Sequence, residues 1–520
     1  MQVRLSLSDG EYWWGGSSAM GDAFPLHKGC TFRKARTYTG GNQDMPFFLS
    51  TKGRYVFADS PMDVTLEGGV FTFTADGDIH VCDGHGDLRG AYVAAQKKHF
   101  PVRGDRPEED FFRVAQFNSW IEFQYLPSQE KILSFAREIL AHGFEPGIFM
   151  IDEGWAGRYG DWSFEPSRFP DPRAMVDELH RMGFRVMLWI VPLVCPDGKF
   201  FIDAMARPDR RICMRQENGE IAITKWWNGY SALLDFTNPD DCAFLKEQLD
   251  RLITEYGIDG FKFDGGNADM YDPKNFITAP PVTTQSMFAL NIAYNRFAMQ
   301  YRYHELKDSY GCGGMRQIQR LRDKFHRYTD EGLASLLPDA FIAGLTGHPY
   351  LCPDMIGGGD YSSFLPGMPI DGELFVRWAQ ASVFFPMIQY SKRPWACLDG
   401  EHCRLVLEAG RLHNRQREVI LREVNRCMES GEPIVRPLCY SYPHEGLEAI
   451  KDAFLFGEHI LVAPVLTDKT YERTVHLPRG RWRGADGTLY KGGQSYTVKA
   501  PLDTLPYFER VDETPLDAAR

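Results

Sequence analysis

The sequence predicts an α/β protein: a (β/α)8 TIM barrel flanked by an N-terminal β-sandwich and a C-terminal β-sandwich. Three observations point there. From about residue 110 to about 430, strand-like runs alternate with amphipathic helical stretches, the grammar of βα units around a parallel sheet. On either side of that region the chain consists of short alternating runs between turn signals, an all-β pattern. Residues 257–266 (GIDGFKFDGG) are an apolar run ending in a carboxylate and two glycines, which is how a barrel presents a polar group at its carboxyl rim.

Each element follows in order. A 520-residue chain is too long for one core, and about 150 residues per domain gives two to four domains. Residues 1–108, with runs such as 54–57 (RYVF) and 69–73 (GVFTF), are expected to form the N-terminal sandwich. Residues 109–430 are expected to form the barrel. Its strand candidates are 116–120, 147–152, 185–191, 260–264, 309–313, a short piece before Asp323, 349–356 and 385–389. Helical stretches fall at 129–142, 172–182 and 241–256; in the last, Phe244, Leu245, Leu249, Leu252 and Ile253 share one face. Residues 431–520, with runs at 453–456, 459–464 and 474–477 and a turn at Trp482, are expected to form the C-terminal sandwich.

Composition narrows the partners. A net charge of −12 disfavours nucleic acid and anionic membranes, which need a basic surface. No apolar run reaches the roughly 18 residues of a membrane span, and the first residues carry no signal-peptide pattern. The 11 cysteines are scattered without zinc-site spacing and read as reduced thiols, so a cytoplasmic location is expected. No phosphate loop of Walker type, GxSxG elbow or HExxH occurs, and no metal or organic cofactor is expected. Homo-oligomerisation is compatible with the sequence but not specified by it. Aromatic residues make up 13%, enough for core packing and for platforms on which the C–H faces of sugars stack.

The candidate site residues lie at predicted strand ends. Asp264 closes the run 260–264, and about sixty residues on Asp323 stands in QRLRDK. Two rim carboxylates suggest glycoside hydrolysis with a nucleophile and an acid/base. Asp152 ends 147–152, where it can bind sugar hydroxyls or serve as a loop or helix cap; Asp354 has a similar setting. Lys262 lies two residues before Asp264, hence on the same side of the strand, where its charge favours the ionised acid. Trp120 closes the first strand candidate; Trp189 lies within the third, 185–191, and read alone is a core residue before it is a ligand contact. Trp226 and Trp227 are adjacent in a polar segment, so both cannot face one core, and one is expected to be a sugar platform. Asp323 is flanked by Arg320, Arg322 and Lys324, which oppose the raised pKa of a general acid. Asp330 competes with Asp323 for that role.

In this order the pieces resemble glycoside hydrolase family 31 over about residues 110–480. The resemblance rests on FPDP at 169–172 with LHRMGFRVMLW at 179–189, LDFTNP at 234–239, Arg377-Trp378, and FLFGEHILVAP at 454–464. KWWNGYS at 225–231, FKFD at 261–264 and GHPYLCPDMIGGG at 347–359 are similar to one branch of the family, which includes bacterial α-galactosidases and a myogenesis-regulating glycosidase. The resemblance implies a retaining, exo-acting α-glycosidase, with an α-galactoside or other oligosaccharide as substrate. Asp264 is then the nucleophile and Asp323, in RLRDKFH, the acid/base. Asp152, Trp120, Trp189, Trp226, Trp227, Lys262, Arg320 and Asp354 hold the sugar. One departure is Asp152-Glu153, where the family carries another acid pair. The rival classes are an α-glucosidase or other α-hexosidase, a transglycosylase, and a non-catalytic carbohydrate-binding relative.

Overall fold

The computed structural model describes residues 1–38, 40–206, 212–277 and 280–511. Its centre is an eight-stranded parallel barrel. In order the strands are Gln116–Asn118, Ile148–Ile151, Arg185–Ile190, Gly260–Phe263, Tyr303–Leu306, Gln319–Arg320, Leu351–Cys352 and Gln389–Tyr390. Each pairs with its sequence neighbour, the eighth pairs with the first, and a Met355–Gln389 bridge closes the ring.

The helices between strands start and stop on local signals. Helix Pro172–Arg181 opens with proline behind Asp171, whose carboxylate accepts the Ala174 N–H at 3.0 Å. Helix Pro239–Tyr256 opens the same way behind Asn238 and ends at Gly257 in the left-handed region (φ 79°). That glycine turns the chain directly into the fourth strand. There Phe261 and Phe263 are buried outward among the helices, and Lys262 points into the barrel between Trp189 and Glu305 of the flanking strands.

Three expected barrel elements are corrected. The fifth strand is Tyr303–Leu306, not 309–313; Ser309–Tyr310 leaves the barrel and pairs parallel with Gln43–Asp44 in the N-terminal domain. Alternation alone cannot say which sheet a strand joins, and the true fifth strand carries His304 and Glu305, whose polarity hid it. Trp120 is not the end of a strand but the start of the short helix Trp120–Phe123. The eighth strand also begins later than expected, at Gln389.

The N-terminal part packs a four-stranded sheet against a five-stranded one, with Trp13, Phe47, Phe48, Phe71 and Phe73 buried between them. At the other end a six-stranded sheet and a two-stranded pair form the C-terminal β-domain. The two β-domains share one apolar cluster, which also takes in Ile342 and Leu345 of barrel helix Leu336–Leu345. Among the described residues no helix is long and apolar enough to cross a membrane, and all 11 cysteines are free.

Candidate active site

The carboxyl ends of the barrel strands open into a cavity of about 430 Å³. Asp264 stands on its floor. Trp189 Nε1 donates to its Oδ2 at 2.9 Å, and Gly265 N–H donates to its Oδ1 at 2.9 Å. Both following glycines sit at φ 64°, and a Cβ on Gly266 would lie 2.5 Å from Tyr294 Cδ1. The pair of glycines thus lets the chain turn tightly beneath the carboxylate, whose backbone carbonyl accepts Tyr294 OH at 3.1 Å. Burial raises the Asp264 pKa, but the charges of Lys307 and Lys262 and the Trp189 hydrogen bond outweigh it, so the carboxyl is held below its ordinary value.

Across the floor, Asp323 is the most heavily countercharged group. Arg320 Nη1 donates to its Oδ1 at 2.7 Å, and Lys307 Nζ donates to its Oδ2. Burial opposes ionisation, yet Lys307 and Arg320 hold Asp323 far below the usual carboxylate range. Its other cationic sequence neighbours are paired elsewhere: Arg322, which also lines the cavity, and Lys324 both pair with Asp339. Asp354 is fully buried and does not line the cavity. It accepts Arg320 Nη1 at 3.0 Å and the backbone N–H groups of Lys324, Met355 and Gly359, and so fixes both Arg320 and the loop under Asp323. Burial, together with the charge of Asp323, pushes Asp354 up to about 6.

Asp152 and Glu153 form the third acidic group. Asp152 Oδ2 accepts Lys262 Nζ at 2.8 Å and Asn118 Nδ2 at 2.6 Å. Glu153 accepts Tyr159 OH at 2.5 Å and also Asn228 Nδ2. Burial, with the charges of Asp152 and Asp264 behind it, pushes Glu153 up to about 8 against the Tyr159 hydrogen bond. Asn228 Oδ1 in turn accepts Tyr125 OH at 3.2 Å, tying the floor acid to the rim.

The rim is aromatic. Trp120, Tyr125 and Tyr361 meet edge to face, with centroids 5.2, 5.8 and 6.4 Å apart. The adjacent tryptophans part as expected: Trp227 lines the cavity at 51% exposure, whereas Trp226 is 7% exposed, packs on Tyr159 and donates to Ser231 Oγ at 3.1 Å.

Of the residues singled out from sequence, Asp152, Asp264, Asp323, Lys262, Arg320, Trp120, Trp189 and Trp227 meet at the cavity; Trp226 and Asp354 stand behind it. Asp330 is exposed, contributes only a backbone carbonyl to Arg322 and does not line the cavity. Sequence reasoning missed Lys307, Tyr125, Tyr361 and Asn267, and the N-terminal loop at 40–42, all of which line it. Lys307 follows Tyr303–Leu306 by one residue and keeps phase with buried Glu305, so it was missed together with that strand. Among the described residues no group of three or more His, Cys, Asp or Glu side chains could hold a metal ion.

Comparison with known proteins supplies the wider setting. Residues 115–397 match the glycosyl hydrolases family 31 TIM-barrel domain, and residues 431–513 the glycosyl hydrolase family 31 C-terminal domain. The myogenesis-regulating glycosidase of Mus musculus is 32% identical over 441 residues, covering 82% of this chain and 60% of that protein. Alpha-glucosidase 2 of Bacillus thermoamyloliquefaciens is 24% identical over 501 residues, covering 90% and 61%. The chain thus spans about 60% of the length of these relatives. The GH31 dextranase of Flavobacterium johnsoniae complexed with glucose superposes with a TM-score of 0.82 at 20% identity, covering 98% of this chain and 66% of that one. The cycloalternan-degrading enzyme of Trueperella pyogenes in complex with covalent intermediate gives 0.82 at 18% identity, covering 99% and 78%.

Proposed function

This chain belongs to glycoside hydrolase family 31, and on that premise we propose that it is a retaining, exo-acting α-glycosidase that removes terminal α-linked hexosides from an oligosaccharide or other glycoside. The observation that carries the reading is the pairing at one cavity floor of Asp264, kept ionised, with Asp323, whose countercharges include a lysine on a flexible stem. Asp264 Oδ attacks the anomeric carbon as the bond to the leaving oxygen breaks, and Asp323 delivers the proton that oxygen needs. Water then attacks the same carbon, gives its proton to Asp323 and releases Asp264. Asp152, set by Lys262 and Asn118, and Glu153, set by Tyr159 and Asn228, face the cavity as hydroxyl partners, with Trp189 and Trp227 as ring surfaces.

The sugar proposed first is α-galactose, supported by the KWWNGYS, FKFD and GHPYLCPDMIGGG segments. An α-glucoside or α-xyloside is the second reading, because relatives at 24% and 23% identity are named alpha-glucosidase 2 and alpha-xylosidase XylQ. A non-catalytic sugar binder is disfavoured by the presence of both acids in one cavity. The test is a panel of aryl α-galactosides, α-glucosides and α-xylosides, with proton NMR of the first product. Release of the α-anomer from one of them is expected. A β-anomer appearing first removes retention, and gluco or xylo preference removes the galactosidase reading alone.

A further inference from the structure

Lys307 has so far appeared only as a charge beside Asp264 and Asp323. Its Nζ donates to Asp323 Oδ2, and among the cations its charge acts most strongly on Asp264. The glycosidase reading asks Asp323 to be a protonated acid in the first half-reaction and an ionised base in the second. An ammonium on the carboxylate suits only the second. With Lys307 on Oδ2 and Arg320 on Oδ1, both oxygens of Asp323 already have a cationic donor.

Of the two cations on Asp323, only one is free to move. Arg320 is 2% exposed along its side chain and shared with Asp354 at 3.0 Å, with Glu305 at 3.7 Å behind it. The Lys307 side chain is 16% exposed on a four-carbon stem. Its ammonium is held by Asp323, and its main chain by Gln43 Nε2 of the N-terminal sheet, which donates to the Lys307 carbonyl at 2.9 Å. The groups facing Asp323 are Arg320 on its own strand end, Lys307 after the fifth strand, Lys262 and Asp264 on the fourth, and Asp354 after the seventh.

We propose that Lys307 is a positioning residue for the second half-reaction: the incoming aglycone moves its ammonium off Asp323, and after the aglycone leaves the ammonium returns and holds the carboxylate ionised to take a proton from water. This rests on the glycosidase reading above. No atom is transferred to or from Lys307; the proton passes from Asp323 to the leaving oxygen and then from water to Asp323.

The experiment compares wild type, Lys307→Met and Lys307→Arg on two leaving groups. With a dinitrophenyl α-glycoside the second half limits turnover; with a methyl α-glycoside the first half does. Lys307→Met should lower kcat on the dinitrophenyl substrate by about tenfold or more, with a larger burst of phenolate, and lower kcat/KM on the methyl substrate by much less. Losing a cation raises the acid's pKa, so the basic limb of kcat/KM that the methyl substrate shows and the dinitrophenyl substrate lacks should move to higher pH. Lys307→Arg should restore the wild-type ratio. Equal losses on both substrates in an active enzyme, or an unmoved basic limb, overturn the role of Lys307 and leave the glycosidase reading intact. A wild type inert on every α-glycoside overturns the reading itself. If the methionine variant does not fold, Lys307→Gln takes its place. A carbon-13 carboxyl titration, assigned with Asp323→Asn, then needs no turnover: Asp323 should titrate higher without the lysine, and an unchanged titration overturns the proposal.

Discussion

Lys262 lies two residues before Asp264 on one strand, yet its ammonium bonds Asp152 on a different strand, at 2.8 Å. It acts on Asp264 only through space, and the neighbours of Asp264 on the floor are Trp189 and the Gly265 N–H. The pair is almost wholly buried. Lys262→Met is therefore expected to leave an uncompensated carboxylate and to destabilise the fold by about 3–5 kcal/mol, with a smaller loss in the Lys262→Met/Asp152→Asn double variant. Urea unfolding of the three proteins checks this. A single variant within about 0.5 kcal/mol of wild type would rule out a buried, charged pair.

Asp264→Asn should keep the fold, since the amide oxygen can still accept from Trp189 or Gly265, and should lose at least about a thousandfold in turnover. The check is steady-state kinetics on the best aryl α-glycoside alongside circular dichroism. A folded variant retaining more than about a tenth of wild-type activity removes the nucleophile assignment.

Asp323→Ala is expected to be slow on poor leaving groups and much less impaired on activated aryl glycosides, because only the former need the proton. Added azide should accelerate the activated substrates and give an α-glycosyl azide. Asp330→Ala, on an exposed side chain outside the cavity, should stay near wild type. The selective pattern appearing in Asp330→Ala instead would move the acid/base there.

Glu153 sets a limit at alkaline pH. Pushed up to about 8, it is protonated at neutrality, and as pH rises through that value it adds a negative charge beside Asp152 and Asp264. Ionisation also removes the proton that Glu153 can donate to a sugar hydroxyl, so kcat/KM on a dinitrophenyl α-glycoside, which needs no proton from Asp323, should fall above about pH 8. Glu153→Gln, which cannot ionise, should lose that limb while retaining a neutral partner for Tyr159 and Asn228. A pH profile of both proteins decides the matter, and an unchanged limb in Glu153→Gln assigns it to another group.

The fold and the floor acids were legible because runs such as Ile148–Ile151 and Gly260–Phe263 are wholly apolar or hide a single polar residue, and each ends in a carboxylate. The split between Trp226 and Trp227 followed from alternation along a strand. The fifth strand was not legible, since His304 and Glu305 are buried inside the barrel and read as polar in sequence. With that strand expected at 309–313 and found at Tyr303–Leu306, Lys307 fell among loop residues. The Asp354–Arg320–Asp323 chain and the Asn228 link between Tyr125 and Glu153 join segments far apart in sequence, so spacing held no trace of them.

The Gln43 side chain grips the carbonyls of both Lys307 and Arg320, at 2.9 and 3.3 Å, and the strand it sits on pairs with Ser309–Tyr310. Gln43 and Lys307 are 264 positions apart. A ribosome therefore delivers the N-terminal sheet long before the strand that completes it, and the nascent domain waits with that stretch of backbone unpaired until the fifth barrel unit emerges. Cutting the gene between sandwich and barrel should accordingly yield two fragments that each expose raw hydrogen-bonding edge, and that recover turnover only when co-expressed.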